Sequence, residues 1–281
     1  MIAERTESTV AGLMTSTATS ATSSRSIAVD PATILDDLET GRIRAAEPDS
    51  LAPGGWHVRP EVKAAILACF ADPTPATWQV GPFTFRDRAR FPLTDPGPGR
   101  RIVPGGSAIR AGAHLEPGVV VMPPSYVNVG AWIGAETMVD SHVLVGSCAQ
   151  IGAAVHLAAG VTIGGVLEPP GARPVIVEDG AFVGAGSCLL EGVLVGSGSV
   201  IAAGVIVTGT SRLYDLVEER ELVGTAASPL AVPPDVVVVP GSRAVRGEWA
   251  EARGLTIATA MIVKRRDTGT AARVALEEAL R

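Results

Sequence analysis

The chain has 281 residues, including 32 glycines and 21 prolines; 47% are hydrophobic and only 4% aromatic. Glycine and proline cost roughly 1 and 3 kcal/mol in a helix interior, which excludes a large helical bundle, and the apolar content excludes wholesale disorder. With 23 basic against 29 acidic residues the net charge is −6, so the basic footprint of a nucleic-acid binder is absent.

Residues 1–26 are dominated by Ser, Thr and Ala and are expected to form a flexible tail. Glu4 and Glu7 stand where a secretory leader would be basic, and no apolar stretch follows them. No run of 18 apolar residues predicts a membrane span. Cys69, Cys148 and Cys188 form no paired framework, which fits a reducing cytoplasm. Residues 27–100 read as an N-terminal helical or α+β domain, helical from Ile27 to about Phe70. Ile34, Leu35 and Leu38 form one apolar face, ended by Gly41, and Val62, Ala65, Ile66 and Cys69 form another. Pro73 and Pro75 close that stretch, and the Asp95–Gly99 cluster of Pro and Gly marks a boundary.

From there an aliphatic residue recurs every six positions: Ile109, Leu115, Val121, Val127, Ile133, Val139, Val145, Ile151, Leu157 and Ile163. The period resumes at Val177 and runs through Val183, Leu189, Val195, Ile201 and Val207 to Leu213, with small residues between the anchors. Six fits neither a helix nor a hairpin array. It is the signature of a parallel β-helix, in which three hexapeptides close one triangular coil and the anchors stack inward. The β-helix is expected over residues 101–241. It is broken by insertions near 165–174 and 209–232, where sites are usually built, and Val232 and Val238 add two further rungs. A C-terminal extension, 242–281, is expected to end in a helix bearing Val274, Leu276 and Leu280.

Several longer strings carry a family resemblance. Pro124–Gly130 (PSYVNVG), Thr137–Asp140 (TMVD), Val145–Gly152 (VGSCAQIG), Val155–Leu157 (VHL) and Ile163–Pro169 (IGGVLEP) resemble tetrahydrodipicolinate N-succinyltransferases. Leu38–Glu47, Arg101–Pro104, Ser211–Asp215 and Met261–Lys264 extend the likeness over roughly residues 30–281. The resemblance implies a left-handed β-helix in a homotrimer, with active sites between subunits. It further implies transfer of a succinyl group from succinyl-CoA to an amine derived from tetrahydrodipicolinate, on the succinylase route to diaminopimelate and lysine. No metal or tightly bound cofactor is implied.

By the same resemblance Asp140 is the active-site acid, able to take a proton from or orient an attacking amine, a role favoured over an Asp that only bonds its own turn. Arg101 and Arg212 match acceptor-binding arginines, whose planar forks suit a dicarboxylate, against the alternative of solvated surface arginines. Glu168 is a further candidate for the acceptor pocket. Gly164, Gly184, Ala185, Ala203 and Gly204 match positions along which a CoA arm would lie, and Lys264 is a candidate phosphate contact. The chain departs from the family where Arg-Ser-Glu usually follows Gly-Ala: it reads Gly186-Ser187-Cys188. A thiol with an ordinary pKa of about 8.5 replaces a carboxylate poorly. That loss raises a second expectation, a homologue that acylates or acetylates a related amino-dicarboxylate. A zinc site on the same scaffold would need three clustered histidines, and the 42 residues between His114 and His156 are no multiple of an eighteen-residue coil.

Overall fold

A computed structural model describes residues 29–266. The Ser/Thr-rich tail and the C-terminal helix expected around Val274–Leu280 lie outside the described residues.

The N-terminal region contains two helices rather than a continuous helical stretch: α1 spans Ile34–Glu39 and α2 spans Pro60–Ala71. Proline in the first turn of α2 suits a position whose N–H needs no helical partner. The two apolar faces read from sequence meet each other. Ile34, Leu35, Leu38, Val62, Ala65, Ile66 and Cys69 are all buried, packed with Phe91, Ala111, Val129 and Cys148. Two antiparallel hairpins complete the region, Ala46–Pro48 with Trp56–Val58 and Pro75–Val80 with Phe83–Arg88. Neither shows in a helical apolar period, because each strand is short and the second hairpin buries no residue on either face.

The six-residue period forms a parallel β-helix of two-residue strands stacked into three sheets, the left-handed coil that the family resemblance implies. The first sheet presents His114, Trp132, Gln150, Ile176, Leu194 and Ala231 outward. The second begins at Arg101 and continues through Val120, Met138, His156, Phe182 and Val200. The third presents Ala108, Tyr126, Leu144, Thr162, Cys188 and Ile206. Each anchor sits inward beside one of these residues, and Val121, Ile133, Val139, Ile151, Leu157 and Ile163 are wholly buried.

Each repeat has a second inward position, two residues before the anchor. It holds Val119, Ala131, Val143, Ala149, Val155 and Val161, all in the same core. Hydroxyls at this position serve as pegs between coils. Ser187 Oγ donates to the Ala202 carbonyl at 2.8 Å and accepts the Val205 N–H at 3.3 Å. Thr137 and Ser199 do the same one coil up from themselves. The corners carry the left-handed backbone conformation that small residues tolerate, three residues after the anchor. Glu136, His142, Cys148 and Ala154 adopt it as well as the glycines.

The insertions loop out without shifting the stack. Ile151 pairs with Val177 across the first, and Val195 with Val232 across the second. Within the second insertion Arg212–Asp215 and Arg220–Val223 form an antiparallel hairpin. Leu213 is buried as its period predicts, but its strand leaves the coil to pair with the C-terminal strand Thr256–Arg265. That strand folds back antiparallel on Val236–Ala244. The described part of the C-terminal extension is therefore mainly a β-hairpin, with one helical turn at Glu248–Glu251.

Candidate active site

Asp140 follows the buried anchor Val139 directly, at the corner where the chain passes from the second sheet to the third. Its backbone is held on both sides. The Asp140 N–H donates to the Leu157 carbonyl at 2.9 Å, and its own carbonyl accepts the Ser125 hydroxyl at 2.8 Å. Ser125 in turn accepts the Val143 N–H at 3.0 Å. The side chain is partly exposed, and Oδ1 accepts the Ser141 N–H at 2.7 Å. The turn bond expected of a structural Asp is thus present, yet it uses only one carboxylate oxygen.

Gly184, Ala185, Ala203 and Gly204 lie on the same corner as Asp140, on coils stacked above it. Gly184 occupies the place of Asp140 two coils higher, roughly 10 Å along the stack at about 4.8 Å per strand. Ala185, Ala203 and Gly204 are exposed, so this edge is a shallow track of small residues. Gly164 ends the opposite side of the third sheet, and the exposed Glu168 follows in the insertion. Six predicted residues and Glu168 therefore flank one face, on which Leu144, Thr162, the half-buried Cys188 and Ile206 point outward.

Gly184 has a second reason to be glycine. A Cβ there would lie 2.4 Å from the Ala203 nitrogen and 2.6 Å from the Ala202 carbonyl carbon. Backbone cannot give way as a flexible side chain would. Gly184→Ala should therefore cost about 1–3 kcal/mol of stability through overpacking, seen as a lower urea midpoint. If only the KM for an acyl-CoA changed, the residue would act through the ligand alone.

The remaining predicted residues stand apart within one chain. Arg101 is exposed on the lowest rung of the second sheet, paired with Val120, itself one coil below Met138. Arg212 is on the outlying hairpin, where it forms an ion pair with Glu221. Lys264 lies on the C-terminal strand opposite Val237.

A family model described as the hexapeptide repeat of succinyl-transferase matches residues 174–209. A 2,3,4,5-tetrahydropyridine-2,6-dicarboxylate N-succinyltransferase of Xylella fastidiosa is 40% identical over 254 residues, covering 88% of this chain and 86% of the relative. Its counterpart in Granulibacter bethesdensis is 40% identical over 255 residues, covering 87% and 86%. That of Bordetella avium is 38% identical over 254 residues, covering 88% and 87%. The chain belongs to the tetrahydrodipicolinate N-succinyltransferase family.

In this N-succinyltransferase-family chain one buried and two partly buried cations carry no signal in the sequence. Arg44 lies within the string Leu38–Glu47, where nothing in the local pattern distinguishes it. Its guanidinium sits 4.0 Å from the Trp132 ring centre and 5.7 Å from that of Trp56, and Nε donates to Gln150 at 3.0 Å. Burial lowers its pKa to about 10. It joins the first hairpin to the first sheet, beside a cleft of about 450 Å³. His114 belongs to the same junction, stacked on Trp132 with Nδ1 against the Glu39 carbonyl at 2.7 Å.

Lys63 of α2 is fully buried, and its ammonium donates to the Ala172 carbonyl of the first insertion. Burial lowers its pKa, and burial pushes the adjacent Cys148 thiol up to about 12, so that thiol stays neutral. Arg173, the next residue of the insertion, reaches across to the second insertion. Nε donates to the Gly192 carbonyl, and Nη2 to the carbonyls of Pro229 and Leu230. Arg173 also lines a cavity of about 310 Å³, together with Glu168, Pro169 and Glu191.

Proposed function

We propose that this protein transfers a succinyl group from succinyl-CoA to the amine derived from tetrahydrodipicolinate, in the route to diaminopimelate and lysine. The observation that carries the reading is the placement of Asp140. Its backbone is locked between two coils, its Oδ1 is engaged by Ser141, and it borders a track of small residues.

The amine nitrogen attacks the thioester carbonyl carbon. The new C–N bond forms as the C–S bond breaks. Asp140 Oδ2 takes the proton that the amine must lose, and the departing thiolate takes up a proton to leave as CoA thiol. The pantetheine arm lies along Gly184, Ala185, Ala203 and Gly204, with Gly164 at the far edge and Lys264 toward the phosphates. Exposed backbone N–H groups of the corner stabilise the thioester oxyanion. Arg101, Arg212 and Glu168 line the acceptor site. Their separation within one chain fits sites shared between subunits of a homotrimer. The outward Leu144 and Ile206, 37% and 63% exposed, offer apolar surface for that packing. Cys188 leaves Asp140 as the principal proton acceptor. Three free cysteines fit a cytoplasmic enzyme.

The test is a thiol-release assay in which succinyl-CoA and acetyl-CoA are each paired with tetrahydrodipicolinate and 2-aminopimelate. Succinyl-CoA with tetrahydrodipicolinate is expected to give the highest kcat/KM. A preference for acetyl-CoA would overturn the assignment of the donor and favour the specialised homologue.

A further inference from the structure

A third cavity, of about 560 Å³, opens behind the two insertions, against the first hairpin. Its walls include His57, Ala172, Arg173, Ala227 and Ser228, and no aspartate or glutamate lines it.

Arg173 is the informative residue. Three of its N–H groups are spent on main-chain carbonyls, which fix the guanidinium plane. Nη1 makes none of these bonds and faces the cavity beside Gly54, where a Cβ on that glycine would lie 3.2 Å from it. Among the described residues no carboxylate forms an ion pair with Arg173. Lys63, bonded to the carbonyl of the preceding residue, has no carboxylate partner there either. Two neighbouring cations drawn from water with no carboxylate in ion-pair contact are costly, and a held guanidinium fork is preorganised for an oxyanion.

We propose that this cavity is an oxyanion-binding site, in which the Nη1 group of Arg173 receives a carboxylate or phosphate group of a small ligand. The site is separate from the Asp140 corner. Asp140 lies between the second and third sheets, whereas this cavity lies against Trp56 and Ala231, beside the first sheet. His57 also lines this cavity.

The experiment follows the thermal unfolding midpoint of the full chain in inorganic phosphate, in succinate and in chloride at matched ionic strength. A ligand that binds only the folded state raises the midpoint by several degrees at roughly 100-fold its Kd. A rise with both phosphate and succinate supports a general oxyanion site. A rise with one alone supports the proposal and identifies the class of ligand. Arg173→Gln should abolish the rise, but it also removes the carbonyl contacts. Ala227→Glu keeps those contacts and places a carboxylate in the cavity, so it too should lose the response. Wild-type midpoints that match chloride in every buffer would overturn the proposal. So would an undiminished response in Ala227→Glu, because the anion would then be bound elsewhere.

Discussion

Replacing Asp140 by asparagine is expected to lower kcat by about 10²–10⁴-fold, the usual contribution of a positioned acid or base, with KM changed little. Asparagine keeps the shape of the side chain, and its amide oxygen still accepts the Ser141 N–H that Oδ1 accepts. The backbone bonds to Leu157 and Ser125 do not involve the side chain, so the corner should fold unchanged. What disappears is a proton acceptor of carboxylate basicity. Because that role belongs to the transition state, it falls on kcat more than on KM. Steady-state kinetics with succinyl-CoA check it, and an unchanged kcat would remove Asp140 from the chemistry.

The largest expected effect on stability comes from the core. Ile151→Ala should destabilise the fold by about 2–5 kcal/mol, the range for large-to-small changes at fully buried sites. Ile151 is wholly buried and stacks between Ile133 on one coil and Val177 on the next. A coil touches only its neighbours, so a cavity there weakens two interfaces at once, and no distant packing compensates. The narrow core also leaves little room for collapse around the hole. Urea unfolding measures the change in midpoint at constant slope. A loss below about 0.5 kcal/mol, typical of surface changes, would mean that the anchors do not carry the stack.

The β-helix was legible because its code is local. One aliphatic anchor in six, with small residues at the corners, reports the coil without knowledge of any distant contact. The second inward position was harder to see, since alanine, valine, serine and threonine share it. The serines there look like surface residues until their hydroxyls are found bonded between coils. The N-terminal hairpins were missed for the converse reason: three- and six-residue strands have no period long enough to register. Asp140 was found through the string Thr137–Asp140. Arg44, Lys63 and Arg173 carry no such signal, because each partner lies far away in the chain: Gln150, Ala172 and Pro229 respectively.

The sequence thus settled the repeat, the inward anchors and the family, all of them properties of short strings read in order. It was silent on which strings share an edge. Folding places Asp140 below Gly184 and Ala203 on one corner, with Gly164 and Glu168 across the third face. It leaves Arg101 on the lowest rung of the second sheet and Arg212 on an outlying hairpin. The physical reason is the coil itself. Residues one full turn apart become neighbours, and an insertion changes how many residues a turn contains without disturbing the register. The same geometry explains why buried charge appeared only in three dimensions. A guanidinium or ammonium is costly to bury until the fold supplies the carbonyls and rings that surround it.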